Sequence, residues 1–134
     1  MDAETPSVRR APIRSYEDLD VFQRSFALVR PIHELVKRFP SFESFDLVQQ
    51  MRRASKSVPA NIAEGYSRRQ SARDFKFFLS NAQGSANEMA VHLRIAIELE
   101  YVTQEDVKDL RDGYDIVGRQ LNRLIHSWRR IEPT

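Results

Sequence analysis

The sequence predicts an all-α protein that folds as an antiparallel, up-down-up-down four-helix bundle. Apolar residues recur at steps of three and four along almost the whole chain, which is the spacing of a helix face. Glycine is rare, with four among 134 residues. Capping boxes of the Ser/Thr-x-x-Asp type, which mark helix starts, begin at Ser15, Ser71 and Thr103. Because the predicted connections are short, consecutive helices should lie antiparallel beside one another.

The first predicted helix covers residues 16–39 and begins at the box that Ser15 forms with Asp18. Pro31 lies inside it. Since proline removes a backbone hydrogen bond and its ring clashes with the preceding turn, we expect a kink within residues 27–31. The apolar stripe of this helix comprises Leu19, Phe22, Phe26, Val29, Ile32, Val36 and Phe39.

The second predicted helix begins near Ser44 or Phe45 and ends at about Tyr66. Pro59 predicts a kink, or a break into two short helices. Gly65 is expected to end the helix as a left-handed C-cap, because glycine adopts positive φ without strain. The inward-facing residues should be Leu47, Val48, Met51, Ala54, Val58, Ile62 and Ala63.

The third and fourth predicted helices cover residues 72–100 and 104–130, and each starts directly after a capping box. The stripe of the third helix is Phe75, Phe78, Leu79, Ala82, Ala86, Met89, Leu93, Ala96 and Ile97. The seam of the fourth helix alternates steps of three and four without interruption, as in a coiled coil. It comprises Val107, Leu110, Tyr114, Val117, Leu121, Leu124 and Trp128.

The chain length fits one domain, which we expect to span residues 16–130. Residues 1–15 contain three arginines and two prolines but no apolar stretch, so they predict a disordered leader rather than a secretory signal. Residues 131–134 should be a frayed end. The sequence has no cysteine and no apolar run long enough to cross a bilayer. It therefore predicts a cytoplasmic protein without a membrane partner.

A search for catalytic chemistry finds no strong candidate. The Walker loop, G-x-S-x-G, G-x-G-x-x-G and H-E-x-x-H are all absent from the sequence. A di-metal bundle site needs Glu-x-x-His pairs, and the nearest approach to one is Glu88 with His92. We interpret His33, His92 and His126 as solvated or hydrogen-bonded surface residues. The sequence thus predicts a protein that is not an enzyme and has no cofactor, metal or small-molecule substrate.

Basic residues give the clearest functional indication. Residues 52–76 carry seven cations against Glu64 and Asp74, a net charge of +5 (7 − 2), although the whole chain carries only +2. The candidate nucleic-acid-binding residues are Arg52, Arg53, Lys56, Arg68, Arg69, Arg73 and Lys76. Tyr66 is the aromatic residue among them and could stack on a base. An ordinary solvated surface explains the same charges equally well, and no motif for base-specific readout is present.

Several segments of the sequence resemble a known family of four-helix bundles. They are residues 15–19, 21–23, 50–54, 57–65, 75–79, 84–85 and 98–101, and the sharpest is S-V-P-A-N-I-A-E-G at residues 57–65. The chain is similar, from about Ser15 to Trp128, to the proteins encoded in intervening sequences of bacterial 23S ribosomal RNA genes. That family is related to the accessory variability determinant proteins of diversity-generating retroelements. Pro31 differs from the family pattern, in which a helix-favouring residue is expected at this position of the first helix.

The resemblance implies a four-helix bundle that assembles as a ring-like homopentamer. It also implies ribosome association, through binding of RNA or ribonucleoprotein at a basic surface. By position, Arg52 and Arg53 match the paired arginines of the family, and Arg68 and Arg69 match its basic segment after the glycine. The central motif, with its proline and the tyrosine that follows it, is either a structural or interface element or a direct ligand contact; it comprises Pro59, Asn61, Glu64, Gly65 and Tyr66.

Two functional hypotheses follow. In the first, the protein is a self-associating bundle that binds RNA or ribonucleoprotein without sequence specificity. In the second, it is a protein–protein interaction scaffold, an oligomeric adaptor with no direct nucleic-acid contact. The second rests on aromatic residues of the kind that often mark interfaces: Phe39, Phe42 and Phe45 flank the connection between the first two helices, and Phe77 lies off the stripe of the third.

Overall fold

The structure, a computed structural model, describes residues 12–131, with side chains through Trp128. The predicted leader therefore lies outside the described residues except for residues 12–15. Of the predicted frayed end, only Ile131 is included. The boundaries expected for these two segments remain predictions.

The described part of the chain is helical and contains no strand. Its five α-helices are α1 (Asp20–Ala27), α2 (Val29–Leu35), α3 (Leu47–Ser67), α4 (Ala72–Glu98) and α5 (Gln104–Ile131). Short 3-10 helices cover Tyr16–Asp18, Val36–Arg38 and Ser41–Glu43. Since α1 and α2 together follow the path of the first predicted helix, the predicted four-helix bundle is confirmed.

The helices pack in a closed cycle, in which α1 contacts α3 and α5, α3 contacts α4, and α4 contacts α5. Trp128, late in α5, packs edge-on against Phe75, early in α4, with ring centroids 4.7 Å apart. At the opposite end of the bundle, Tyr101 packs against Phe39 with centroids 5.1 Å apart. We call these the α3–α4 end and the α4–α5 end, after the connection that each contains.

The break between α1 and α2 falls where Pro31 predicts it. The amide of Leu28 donates to the carbonyl of Ser25 at 3.2 Å, a tight 3-10-type bond that interrupts the α-helical ladder. Proline lacks the amide that would bond the Ala27 carbonyl, so the ladder stops there. The predicted kink is confirmed.

The break also changes which face of the first helix is buried. Phe26 was expected in the core, but it is 60% exposed and stacks on Phe22 at 5.5 Å. Val21 and Ser25 are buried in its place, and the buried face continues through Ile32 in α2. The predicted stripe was wrong at Phe26 because periodicity was extended across a helix that does not run straight.

The structure corrects two expectations for α3. The helix is continuous through Pro59, so the predicted break into two short helices is wrong, whereas the alternative, a kink, stays a prediction. Gly65 is buried inside the helix and has no positive φ, so it is not a left-handed cap. A Cβ at Gly65 would lie 2.9 Å from the Cβ of Phe78 and 3.1 Å from Cδ1 of Phe75. This glycine therefore allows α3 and α4 to approach closely.

The helix starts predicted from the capping boxes at Ser15, Ser71 and Thr103 are confirmed, whereas α3 begins at Leu47 rather than near Ser44 or Phe45. The Ser15 and Asp18 box is complete, the Ser71 hydroxyl accepts from the amide of Asp74, and Thr103 and Asp106 each accept from the other's amide. The end of α4 was not anticipated. There Glu100 adopts φ 63°, and the amide of Tyr101 donates back to the carbonyl of Ala96 at 3.0 Å, closing a Schellman-type turn.

The core runs along the axis between the helices, and the seam predicted for the fourth helix lines it. The largest fully buried side chains are Ser25, Ile32, Met51, Val58, Ile62, Phe75, Leu79, Met89, Leu93, Val107, Val117 and Leu121. None of the helices within residues 12–131 combines the length and apolar character needed to cross a membrane.

Candidate nucleic-acid interface

The seven predicted cations form two groups rather than one patch. Arg52, Arg53 and Lys56 lie in the half of α3 nearer the α4–α5 end, and we call them the mid-α3 group. Arg68, Arg69, Arg73 and Lys76 lie at the α3–α4 end, and we call them the end group. At a rise of about 1.5 Å per residue, Lys56 and Arg68, the nearest members of the two groups along α3, are about 18 Å apart along the helix axis.

The mid-α3 group is partly neutralised by α4. Arg53 Nη2 donates to Glu88 Oε2 at 2.9 Å, and the same oxygen is 3.0 Å from Nε2 of His92. Arg52 and Lys56 are exposed and have no ion pair in the described part of the chain. One of the three predicted contacts is thus a structural ion pair, and the other two face solvent.

In the end group, Arg68 and Arg69 contact residues of the preceding helical turn and aromatic rings. Arg68 Nε donates to Glu64 Oε2 at 2.9 Å, and its guanidinium lies 5.3 Å above the ring of Phe78. Arg69 lies 4.1 Å above the ring of Tyr66 and donates to the carbonyl of the same residue. These contacts are exposed, and exposed ion pairs contribute about 1 kcal/mol or less, so both guanidinium groups can exchange partners.

Arg73 and Lys76 complete the end group from the first turns of α4. Neither side chain has an ion pair within residues 12–128. Arg73 is exposed, and Lys76 is half-buried. The short connection between α3 and α4 brings them to the same end of the bundle as Arg68 and Arg69, as the sequence predicts.

The central motif has structural contacts at every position. Pro59 is buried, and Gly65 provides the close approach to α4. Glu64 pairs with Arg68 of the same chain. Tyr66 is half-buried, and its ring lies nearly perpendicular to that of Phe75, with centroids 6.4 Å apart. The guanidinium of Arg69 lies over the same Tyr66 ring, which the sequence predicted to stack on a base.

Polar contacts join Asn61 of this motif to Ser57, and Ser57 to α4. Asn61 Nδ2 donates to the carbonyl of Ser57 at 2.9 Å, within α3. The hydroxyls of Ser57 and Ser85 are 2.8 Å apart, and this contact connects α3 with α4. Asn61 thus bonds its own i−4 carbonyl, and not that of Ser55, which Pro59 leaves without its helical amide donor.

The histidines differ from one another in burial. His33 and His126 bond the carbonyls of Val29 and Asn122, four residues earlier in each case. His92 is only 6% exposed, so its assignment to the surface was wrong. It is buried because it lies on the side of α4 that packs against α3, where Glu88 provides its partner.

Aromatic exposure separates the predicted interface residues. Phe42, Phe45 and Phe77 are exposed, as expected, and 60% of the surface of Phe77 is accessible to solvent. Phe39 is buried against Tyr101, which corrects its prediction as an exposed residue. The exposed apolar residues that sequence reasoning missed are Phe26, Val91, Ile95 and Leu99.

The α4–α5 end contains the polar residues with perturbed pKa values. The hydroxyl of Tyr101 donates to Glu43 Oε2 at 2.6 Å, and this hydrogen bond, with burial, raises the pKa of Tyr101 to about 12. A hydrogen bond from the Thr103 amide, together with one from Arg38, lowers the pKa of Asp106. In the core, burial raises the pKa of Tyr114.

Within the described residues, no three His, Cys, Asp or Glu side chains come together as a metal site. The family model described as 23S rRNA-intervening sequence protein matches residues 17–123. That match covers most of the chain, from the first 3-10 helix into the second half of α5. No curated protein matches the chain.

Proposed function

This chain belongs to the 23S rRNA-intervening sequence protein family, and we propose that it is a non-enzymatic, self-associating, cytoplasmic protein that binds RNA or ribonucleoprotein. Binding would take place through the basic surface and without sequence specificity. The observation that carries the proposal is the end group, in which Arg73 and Lys76 have no carboxylate partner among the described side chains and Arg68 and Arg69 are held by exposed contacts.

The physical basis of this binding is neutralisation of phosphates by the end group. Each cation that contacts a phosphate releases a condensed counterion, so the logarithm of the binding constant falls linearly with the logarithm of the salt concentration. The mid-α3 group contributes less, because Glu88 competes with phosphate for Arg53. Contacts to phosphates position a protein on RNA but carry no sequence information, so this binding would not depend on sequence.

A salt titration of RNA binding tests the proposal. Replacing Arg69, Arg73 and Lys76 with glutamine should reduce the slope of log Kobs against log[salt] by about 2 for single-stranded RNA, at about 0.7 for each lost phosphate contact. The measurement is fluorescence anisotropy of a labelled RNA at several salt concentrations.

The matched control removes three cations from α5, by replacing Lys108, Arg111 and Arg119 with glutamine. All three side chains are exposed. Because each triple variant replaces three cations with neutral glutamine, the change in net charge is the same in both. Equal losses from the two triple variants would mean that binding follows net charge and has no located site. Absence of binding at low salt would overturn the proposal itself.

Self-association is the second part of the proposal, and we expect a homopentamer, as the family resemblance implies. The exposed apolar side chains give copies of the chain surface to bury, and contiguous exposed apolar patches often mark protein–protein interaction sites. A ring would also multiply a weak end group by avidity. Analytical ultracentrifugation that shows a monomer at micromolar concentration would contradict this part.

The alternative function, an oligomeric adaptor without nucleic-acid contact, is favoured by the same apolar surface. Phe42 and Phe45 are far from the end group, at the α4–α5 end, and are 76% and 91% exposed. Recovery of the protein from cells with and without nuclease separates the two functions. Partners that persist after nuclease treatment support the adaptor, whereas partners lost with the RNA support the proposal.

A further inference from the structure

An exposed phenylalanine lies inside the end group. Phe77 is on the outer face of α4, with 60% of its surface exposed. Its ring is fixed by an edge-to-face contact with Phe78, with centroids 5.2 Å apart and planes at 83°. Phe78 in turn carries the guanidinium of Arg68 at 5.3 Å.

Two cations of the end group lie near this ring, and neither covers it. Arg73 precedes Phe77 by four residues, so the two side chains are neighbours on one face of α4. Among the described residues, the guanidinium groups of Arg68 and Arg69 stack on Phe78 and Tyr66, and none stacks on Phe77. Phe77 is therefore an open aromatic ring with Arg73 beside it on α4 and Arg68 over the adjoining ring of Phe78.

An open ring between cations has the chemistry of a single-stranded nucleic-acid platform. Unpaired bases stack on aromatic side chains while neighbouring cations follow the phosphate backbone. In a duplex, the faces of the bases are already stacked on one another, and only phosphates and groove edges reach a protein surface. Phosphate neutralisation alone would not require a phenylalanine here.

We propose that Phe77 stacks an unpaired base while Arg73 and Arg68 contact the adjacent phosphates, so that the ligand of the end group is single-stranded nucleic acid. This inference rests on the proposed function and specifies its ligand. Because every base has a π face, the platform tolerates any sequence. It also replaces Tyr66, which the sequence indicated as the stacking residue but whose ring Arg69 covers.

Anisotropy with two RNA probes tests the proposal: a short labelled oligouridine and a labelled duplex of the same length. Phe77→Ala should weaken oligouridine binding by about 5- to 100-fold, which is the usual effect of losing one stacked base. Binding to the duplex should not change. Phe77→Trp should bind oligouridine at least as well as the parent protein, and Phe77→Leu, which keeps an apolar side chain without a ring, should lose affinity as Phe77→Ala does.

Phe45→Ala is the matched control, since it removes an exposed phenylalanine at the opposite end of the bundle. Where sedimentation shows that its assembly matches that of the parent protein, this variant should leave binding of both probes unchanged. Each variant is checked by circular dichroism and by sedimentation, so that a loss of fold or of assembly is recognised.

The possible failures are distinct. If Phe77→Ala or Phe77→Leu binds oligouridine like the parent while loss of the end-group cations weakens it, stacking is refuted and the proposed function stands. If Phe77→Ala weakens both probes equally, or changes the sedimentation coefficient, Phe77 is an interface residue and the inference is overturned. If the parent protein binds neither probe, the proposed function fails.

Discussion

The two ends of the bundle differ in the sequence distance between their polar partners. At the α4–α5 end, Arg38 reaches Asp106 across 68 residues, and Tyr101 reaches Glu43 across 58. At the α3–α4 end, Arg68 bonds Glu64 four residues away, and other cations have no ion pair within the described residues. The first kind of contact holds separate segments together. The second kind leaves charge available to a ligand.

Gly65 gives the largest expected effect, because it lies at the α3–α4 end where α3 and α4 approach most closely. Gly65→Ala should lower the free energy of unfolding by about 1–3 kcal/mol, since the added methyl overlaps Phe78 Cβ and Phe75. Urea denaturation measures the change.

Gly84→Ala is the control for that substitution. Gly84 also lies inside a helix, but a Cβ there meets nothing within 4 Å. Its replacement should increase stability by up to about 1 kcal/mol, through helix propensity alone. If both variants change stability in the same direction, close packing does not explain Gly65.

Gly65 also shows what the sequence could and could not predict. The helix starts at Ser15, Ser71 and Thr103, the seam of α5 and the break at Pro31 depend on residues close in sequence, and these predictions were confirmed. The cap at Gly65, the burial of Phe26 and the exposure of Phe39 depend on which segment packs against each residue, and periodicity along one helix does not contain that information. These three predictions were therefore wrong, although the place of Phe39 in the stripe of the first helix is confirmed.

The candidate site divides in the same way. A short turn between α3 and α4 is enough to predict that Arg68, Arg69 and Arg73 share one end of the bundle. The pairing of Arg53 with Glu88 depends on the register between two helices, which the spacing of apolar residues leaves open. Whether the end group binds RNA stays a prediction that the titrations above would test.

The buried link between Glu43 and Tyr101 should give the next largest effect, now at the α4–α5 end. Glu43→Ala removes the acceptor for the Tyr101 hydroxyl and for the amide of Leu47, which starts α3. We expect a loss of about 1–3 kcal/mol in the free energy of unfolding, since these donors lose their partner in a part-buried site.

A double-mutant cycle with Tyr101→Phe isolates this contact, and a coupling energy near zero would contradict it.

The same hydrogen bond also predicts how Tyr101 titrates. Glu43→Ala should return its pKa from about 12 towards 10, as followed by ultraviolet absorbance. RNA affinity should not change in either variant, because the substitutions lie at the end of the bundle remote from the end group. A large loss of RNA affinity would contradict the assignment of structural contacts to the α4–α5 end and of ligand binding to the α3–α4 end.

Glu100 predicts a smaller effect of the opposite sign. It adopts φ 63°, a conformation that costs a residue with a Cβ about 1–2 kcal/mol relative to glycine. Glu100→Gly should therefore increase stability by about 0.5–1 kcal/mol, after the extra entropy of glycine in the unfolded chain is subtracted. Glu98→Gly, inside the last turn of α4, is the control and should destabilise the protein.

Asp106 should give the smallest effect, and it appears only at acid pH. The amide of Thr103 and the guanidinium of Arg38 lower its pKa below the ordinary value of 3.8, so the folded state favours the carboxylate. A group with a depressed pKa contributes stability above its unfolded value and loses it as the pH falls through the folded value. The parent protein should therefore lose more stability than Asp106→Asn as the pH falls below about 4.

Thermal unfolding at a series of pH values measures the difference in stability between the two proteins. Parallel curves for the two proteins would show that the charged contacts of the α4–α5 end do not hold it together. The contrast with the α3–α4 end would then rest on Glu43 and Tyr101 alone.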